Sequence, residues 1–329
     1  MERVKNQNRS LILKLINSSG PVSRKDIAQQ TGLTAASITH IVTKLLDEDL
    51  LAELGTSRES TGTAGRKKVL LDINADAKYV YTVNIEPDET TTAVCNIKGS
   101  AIKGADGKLL IEHFPTDKSL DPEEFLLLAA ESCRKLSENL GEKRRHRICC
   151  VSVGITGIVD TEKGVSVHAY SIWAGPVDIR SIIGKALKLP VLVENNVDAF
   201  AAAELLFGTG RTVDSLLMVK WGPGVGSTIV IDDGIYRGRH GKTAELGHAI
   251  VRKNGRQCSC GRRGCLETEV SFYALNEIIK FSPDGFAEAY KNASSQQQSD
   301  IDRAIEEEQL IVYFQPKYGV QGDVDRKST

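Results

Sequence analysis

Apolar positions recur at helical spacing between residues 8 and 17, and Ser19-Gly20-Pro21 ends the run. The next stretch, Val22 to Gly32, reads as a short helix. Ser23 stands as its N-cap, Asp26 follows three residues on, and Gly32 is the stop. A third helix is predicted to start after Thr34 as N-cap. There Ile38, Ile41, Val42, Leu45 and Leu46 fall at i, i+3, i+4, i+7 and i+8 and make one buried stripe. Ala36, Ser37, Thr39, His40, Thr43 and Lys44 lie on the other face. Two strands are predicted near 50–54 and 68–73, joined by a polar, glycine-rich loop. Three helices and a two-stranded wing make a winged helix-turn-helix, with Gly32 in the short turn between helices two and three, as that motif prefers.

From residue 79 the pattern changes. Strand-like runs near 79–85, 91–97, 147–155, 191–194 and 216–220 alternate with helical stretches near 121–139, 179–188 and 197–207, which predicts an α/β architecture. Glycine turns close the strand "RICCVSVGITGIVD" and interrupt the apolar run "LMVKWGPGVGSTIVIDDGIYRG". From about 283 the chain turns polar, as in "NASSQQQSD".

Composition adds bounds. A chain of 329 residues is long enough for two or three domains, and 41 % hydrophobic with 26 % charged residues is that of an ordinary protein with a sizeable core. The net charge of −1 excludes a global field toward nucleic acid or membrane, so any such binding must be local. Residues 1–78 carry twelve Lys/Arg against nine Asp/Glu, a mild excess. The arrangement says more than the charge. Thr34, Ala36, Ser37, Thr39 and His40 sit at the exposed start of helix three, with Lys44 further along, where such folds meet the major groove. Arg66 and Lys67, in the wing, could reach phosphates or the minor groove. A winged helix used for protein contacts, with the wing a solvated turn, is the plainer alternative.

The N-terminus is a poor secretory signal, and no stretch approaches the roughly 20 apolar residues of a membrane span. The expected location is cytoplasmic, with no membrane partner. Disulfides are rare there, so the scattered Cys95, Cys133, Cys149 and Cys150 read as small core residues. Three of the seven cysteines, Cys258, Cys260 and Cys265, instead crowd into "CSCGRRGCLE", with His248 ten residues upstream. Closed Cys3His sets hold structural zinc, and Gly261 and Gly264 let the backbone turn Cys265 back toward the same ion. Three reduced thiols in a loop, or a redox disulfide, remain the alternatives.

The string "ELGHAIVRKNGRQCSCGRRGCLE" resembles the signature of the ROK family of bacterial sugar-responsive repressors and sugar kinases. "VENNVDAFAAAELLFG" resembles a second family motif, E-N-D-A-N-A-A-A, and "GPGVGSTIVIDDGIYRG" the glycine-rich phosphate turn; "GITGIVD" fits a fourth loosely. Together these cover about 79–280, and the N-terminal winged helix is what the repressor branch carries. The resemblance implies an actin-like (ribonuclease H-like) domain of two α/β lobes with a sugar cleft. It implies structural Zn2+ on His248, Cys258, Cys260 and Cys265. It also implies sugar contacts from Asn195, Asn196, Glu245, His248 and Glu267, His248 using one ring nitrogen for each task.

Three departures from the kinase pattern follow. Asn196 stands where the family's kinases place an aspartate as base, and an amide has no useful basicity near neutral pH. "NIEPDET" replaces the first phosphate loop D-x-G-G-T, with Glu86 and Pro87 where the glycine pair would bare its backbone N–H groups. Ser227 and Thr228 stand where the second loop tends to have glycine.

The tail departs again: "DIDRAIEEEQLIVYFQPKYGVQGD" resembles the start of an EAL-type phosphodiesterase. The expected organisation is a winged helix-turn-helix over 1–76, an actin-like ROK domain with an incomplete second lobe over 77–300, short of its C-terminal segment, and a tail over 301–329. The expected function is a zinc-stabilised, sugar-responsive repressor without kinase activity. It would bind operator DNA and a sugar or sugar phosphate as a homodimer or higher oligomer. A ROK sugar kinase and a fragment of a phosphodiesterase fusion are the alternatives.

Overall fold

The computed structural model describes residues 2–57, 68–208, 210, 213, 215–232, 234–238 and 245–279. The chain forms two compact units, Met1–Leu216 with Ile231–Ile235, and Leu217–Val230 with Tyr236–Thr329.

The first unit opens with α1 (Glu2–Ser19), β1 (Val22–Ser23), α2 (Arg24–Thr31), α3 (Ala35–Asp47), β2 (Leu51–Ser57) and β3 (Lys68–Ile73). The predicted caps form. Asp26 N donates to the Ser23 hydroxyl at 3.3 Å, and Ser23 N donates back to the Asp26 carboxylate at 3.2 Å. Gly32 closes α2 in the left-handed region at φ 69°. Thr34 caps α3 by accepting from Ser37 N at 3.2 Å. Ile38, Val42 and Leu45 are fully buried with Ile12, Ile16, Ile27 and Leu71, and Ile41 and Leu46 pack at the margin. Two features differ from expectation. Helix α1 begins at Glu2 rather than residue 8, because its polar first turns have helix formers but no apolar stripe. The wing also gains a third strand, since β1 pairs antiparallel with β3, Val22 opposite Leu71. Two residues are too few to show a period.

The same unit continues with β4 (Tyr79–Ile85), β5 (Glu89–Asn96), β6 (Ile111–Pro115), α4 (Pro122–Glu138), α5 (Glu142–Arg145), β7 (Ile148–Ile155), the hairpin β8 (Ile158–Asp160) and β9 (Val165–His168), α6 (Ile179–Leu187), β10 (Val191–Asn195) and α7 (Asn196–Phe207). The sheet order is β10-β7-β4-β5-β6. β4 pairs in parallel with β7, and β7 with β10; β4-β5-β6 is an antiparallel meander. Alternation along the strands buries Tyr79, Tyr81, Val83 and Ile85, then Val151, Val153 and Ile155, then Val191 and Val193. Leu126 and Ala129 of α4 and Ile179 and Ile183 of α6 belong to the same core. β6, α5 and the β8–β9 hairpin escaped the sequence reading because they are short and largely without an apolar period.

One cysteine assignment is corrected. Cys133 is buried, and burial pushes its thiol up to about 12. Cys95 and Cys150 are half-buried, but Cys149 is exposed. The β4–β7 register shifts between Tyr79 and Val80, so that Ile148 and Cys150 find partners and Cys149 is skipped.

The second unit holds β11 (Leu216–Trp221) paired with β12 (Val225–Ile231), a 3-10 turn (Leu246–His248), α8 (Glu267–Val270) and α9 (Phe272–Ile279); β13 (Gly234–Ile235) belongs to the first unit. Trp221 donates its ring N–H to Val270 O at 2.7 Å and meets Phe272 edge-on at 5.6 Å. Arg66, Lys67 and the whole expected tail lie outside the described residues.

The capping box makes the winged helix sensitive to acid. The Ser23 hydroxyl, with help from the Ser23 amide and Lys68, holds the Asp26 carboxyl below its ordinary value. A depressed folded-state value stabilises above the unfolded one and is lost as pH falls through the folded one. Ser23→Ala is expected to cost the N-terminal module about 1 kcal/mol at neutral pH in urea unfolding. The difference from wild type should shrink once the pH drops below the depressed Asp26 value.

Candidate functional site

The register places one set of polar groups. Ile85, Ile155 and Asn195 are aligned across β4, β7 and β10. The residues that follow them, Glu86, Thr156 and Asn196, therefore emerge together at the carboxyl ends of three parallel strands, the edge where open α/β sheets bind ligands. Asn196 is 3 % exposed. Its amide donates to the Thr156 hydroxyl at 3.1 Å and to the Glu86 carboxylate at 3.4 Å. The Asn84 amide donates to the same Glu86 oxygen at 3.3 Å. The first two departures from the kinase pattern are thus one hydrogen-bonded set. An aspartate at 196 would face the Glu86 carboxylate instead of donating to it, and two carboxylates so close cannot both ionise freely. Sequence reasoning missed Thr156; its only signal was its place one residue past a strand.

Asn195 serves first as the N-cap of α7. Its side-chain oxygen accepts from Val197 N at 2.8 Å and Asp198 N at 3.2 Å, and its amide donates to Gly157 O at 2.6 Å. A ligand at Asn195 must therefore compete with the cap or use what these bonds leave free.

The second set lies in the second unit. The ligand atoms of His248, Cys258, Cys260 and Cys265 all fall within 4.8 Å of one another. Cys260 Sγ and Cys265 Sγ are 3.6 Å apart, and Cys258 Sγ is 3.5 Å from His248 Nδ1. A zinc tetrahedron with its usual bond lengths has edges of about 3.8 Å between sulfurs and about 3.5 Å between sulfur and nitrogen. The four residues therefore fit a zinc ion. His248 turns Nδ1 to the thiols, and its Nε2 lies 3.9 Å from the Glu245 carboxylate. Glu267 accepts from Cys258 Sγ at 2.9 Å and lies 3.4 Å from His248 Nδ1.

Electrostatics point the same way. Burial, then the Glu267 carboxylate, pushes the Cys258 thiol up. Burial and the neighbouring Cys260 push Cys265 up. Burial also works against the Cys260 thiolate, but hydrogen bonds involving Arg262, Cys258 and Cys265 outweigh it and the net shift is downward. Three clustered thiols resist joint ionisation, and a divalent cation bound there would supply the missing charge.

Backbone geometry holds this loop. Gly264 adopts φ 76°, and a Cβ there would lie 1.7 Å from Arg252 O; at Gly247 it would lie 1.8 Å from Val225 O. Glu267 also borders the glycine-rich turn, its carboxylate 3.4 Å from where a Cβ on Gly224 would sit. Within that turn Ser227 is not a bare phosphate contact, since its hydroxyl accepts from Leu246 N at 3.4 Å, and Thr228 is buried.

On α3, Thr34, Ala36, Thr39, His40 and Lys44 are exposed and Ser37 half-exposed. Thr34 and Ser37 spend part of their polarity on the cap, Thr34 donating to the Ser37 hydroxyl at 2.9 Å. Among the described residues no helix is long and apolar enough to cross a membrane.

A winged helix before an α/β core with a Cys3His loop defines a ROK-type protein, and comparison agrees. Residues 101–309 match the ROK family; the chain belongs to that family. It is 26 % identical over 277 residues to the xylose repressor of Bacillus subtilis (strain 168), covering 84 % of this chain and 69 % of the repressor. A crystal structure of a ROK family transcriptional regulator, a homolog of the Escherichia coli MLC protein, superimposes with a TM-score of 0.66 at 28 % identity, over 84 % of this chain and 67 % of that one. A ROK family glucokinase from Streptomyces griseus, in complex with glucose and AMPPNP, gives a TM-score of 0.53 at 25 % identity, over 67 % and 64 % of the two chains. The chain is thus a ROK-family member related to transcriptional repressors, with the α/β core of the family's sugar kinases. The family match runs to residue 309, into the tail expected to open an EAL-type domain. Nothing in these matches supports that second resemblance, which is withdrawn.

Gly264→Ala is expected to abolish metal retention, because the Cβ has nowhere to go and Cys265 is the next residue. Elemental analysis after gel filtration should find about one zinc per chain in wild type, as a closed four-ligand site requires, and well under half of that in the variant.

Proposed function

We propose that this protein is a sugar-responsive transcriptional repressor with a kinase-derived sugar-binding core that does not phosphorylate its ligand. The observation that carries the reading is the Asn84–Glu86–Asn196 set. The positions of the kinase base and first phosphate loop hold an amide and a carboxylate bonded to each other. Phosphoryl transfer rests on positioning and on stabilising phosphate charge. Here an acidic side chain stands where backbone N–H groups would cradle phosphate, and an amide stands at the position of the kinase base. The relationship to repressors and the winged helix support DNA binding as the output.

Sugar contacts are assigned in each unit by itself, to Asn195 and Asn196 in the first and to Glu245, His248 and Glu267 in the second. Carboxylates and amides suit a polyol, and Glu245, His248 and Glu267 are held by the metal loop. Zinc on His248, Cys258, Cys260 and Cys265 would act structurally, fixing the His248 ring. On the DNA side, the exposed start of α3 reads base edges, and Lys44, Arg66 and Lys67 meet the backbone. A homodimer fits two operator half-sites. Sugar acts by binding the DNA-competent and DNA-incompetent states differently.

Two measurements test this reading. Duplex DNA selected by the protein from a random pool should be bound by the full chain, not by one lacking residues 1–75. D-xylose, D-glucose or N-acetyl-D-glucosamine should change that affinity. His40→Ala should change which sequences are selected; it is a cleaner probe than Ser37→Ala, which also loosens the cap. Retention of DNA by the truncated chain sinks the assignment.

The second measurement is ADP release with the same sugars. Neither wild type nor Asn196→Asp should turn over, because the variant repairs only the base and leaves Glu86 and Pro87 where a glycine pair would cradle phosphate. Sugar-dependent turnover above about 1 s⁻¹ in wild type would establish the kinase reading instead.

A further inference from the structure

Among the described residues, contacts join the winged helix to the core at three places within the first unit. Ile97 packs against the winged-helix core, and Lys98 pairs with Asp72 at 2.8 Å. Arg147, just before β7, pairs with Asp49 at 3.6 Å. The third place is different in kind. Asn17, in the last turn of α1, donates its side-chain amide to Leu206 O at the end of α7, at 2.7 Å. The first two joints tie the winged helix to sheet turns. The third ties it to the helix that begins at the ligand edge.

α7 has one end at each place. Its N-cap is Asn195 and its first residue is the buried Asn196; its last turn presents Leu206 and Phe207. The last carbonyls of a helix have no partner within it. Here the intrahelical ladder closes with Gly208 N on Glu204 O, so Leu206 O lies beyond it and Asn17 caps it from the DNA-binding module. Phe207 sits under the β5 turn, where a Cβ on Gly99 would come within 3.0 Å of its ring. α7 spans 12 residues, about 18 Å of stiff rod. A ligand that engages Asn195 or Asn196 must compete with the bonds to Gly157, Thr156 and Glu86. Any shift at that end is delivered at Leu206.

We infer that the Asn17 side chain, hydrogen-bonded to Leu206 O, is the positioning contact through which α7 transmits sugar occupancy to the winged helix. This rests on the proposed sugar-binding repressor reading and names its coupling route. A purely anchoring role would instead change operator affinity equally with and without sugar.

The test compares operator affinity with and without sugar, using the pool-selected duplex and whichever of D-xylose, D-glucose and N-acetyl-D-glucosamine acts on wild type. Allosteric couplings typically amount to about 5- to 150-fold. Asn17→Ala should bring the wild-type factor to within about twofold of unity, with the sugar affinity of DNA-free protein unchanged. By reciprocity, operator DNA should lose its effect on sugar affinity as well. Asn17→Asp, of the same size but without the donor, should behave alike and carries the test if the alanine variant does not fold. Arg147→Ala, which breaks a joint away from α7, should keep the wild-type factor. Retention of that factor in a folded Asn17 variant overturns the coupling route and leaves the repressor reading standing. A wild type that binds DNA but ignores every sugar overturns both.

Discussion

The register of β4 against β7 and β10 is the constraint from which the first unit follows. Burying Val83, Val153 and Val193 on one face leaves no freedom to slip, because a one-residue shift would turn every buried side chain outward. That register aligns Ile85, Ile155 and Asn195, and so brings Glu86, Thr156 and Asn196 together without any local signal in the chain. The cap of α7 depends on the same alignment, because Asn195 reaches Gly157 only where β10 lies beside β7.

The residues that depart from the kinase pattern at 84, 86 and 196 form one mutually consistent hydrogen-bonded set. A buried amide needs acceptors, and Glu86 and Thr156 provide them. An exposed acidic loop would merely repel phosphate, whereas this one is tied down by two amides, from Asn84 and Asn196. The polar edge of the sheet therefore keeps its hydrogen bonding, with an amide at 196 and a carboxylate at 86 bonded to each other. Electrostatics shape the second unit too. Its Cys3His loop brings together three thiols, two of which, Cys258 and Cys265, are pushed up by burial and by their neighbours, and close backbone approaches at Gly247 and Gly264 leave little room for another arrangement.

Much of this was legible in the chain. The caps at Ser23 and Thr34, the Gly32 stop and the stripe from Ile38 to Leu46 rest on local rules, and each holds in the structure. The Cys258–Cys265 spacing likewise indicated a shared site, because few residues separate its members and glycines turn the loop. Short elements such as β1, β6 and the β8–β9 hairpin were not legible, since a few residues cannot display a period. Cys149 was misread for a related reason: a register shift between strands, not its own neighbours, exposes it.

The sequence by itself determined the winged helix, the alternation of strands and helices, and the clustering of His248, Cys258, Cys260 and Cys265, all products of spacing along one segment. Tertiary structure alone decided which distant residues meet. Glu86 and Asn196, 110 positions apart, each looked like a separate departure from a kinase, and Asn17 and Leu206, 189 positions apart, gave no sign of each other. Such pairings depend on sheet register and on the direction in which a helix leaves its strand, quantities set by packing the whole core rather than by any residue's neighbours.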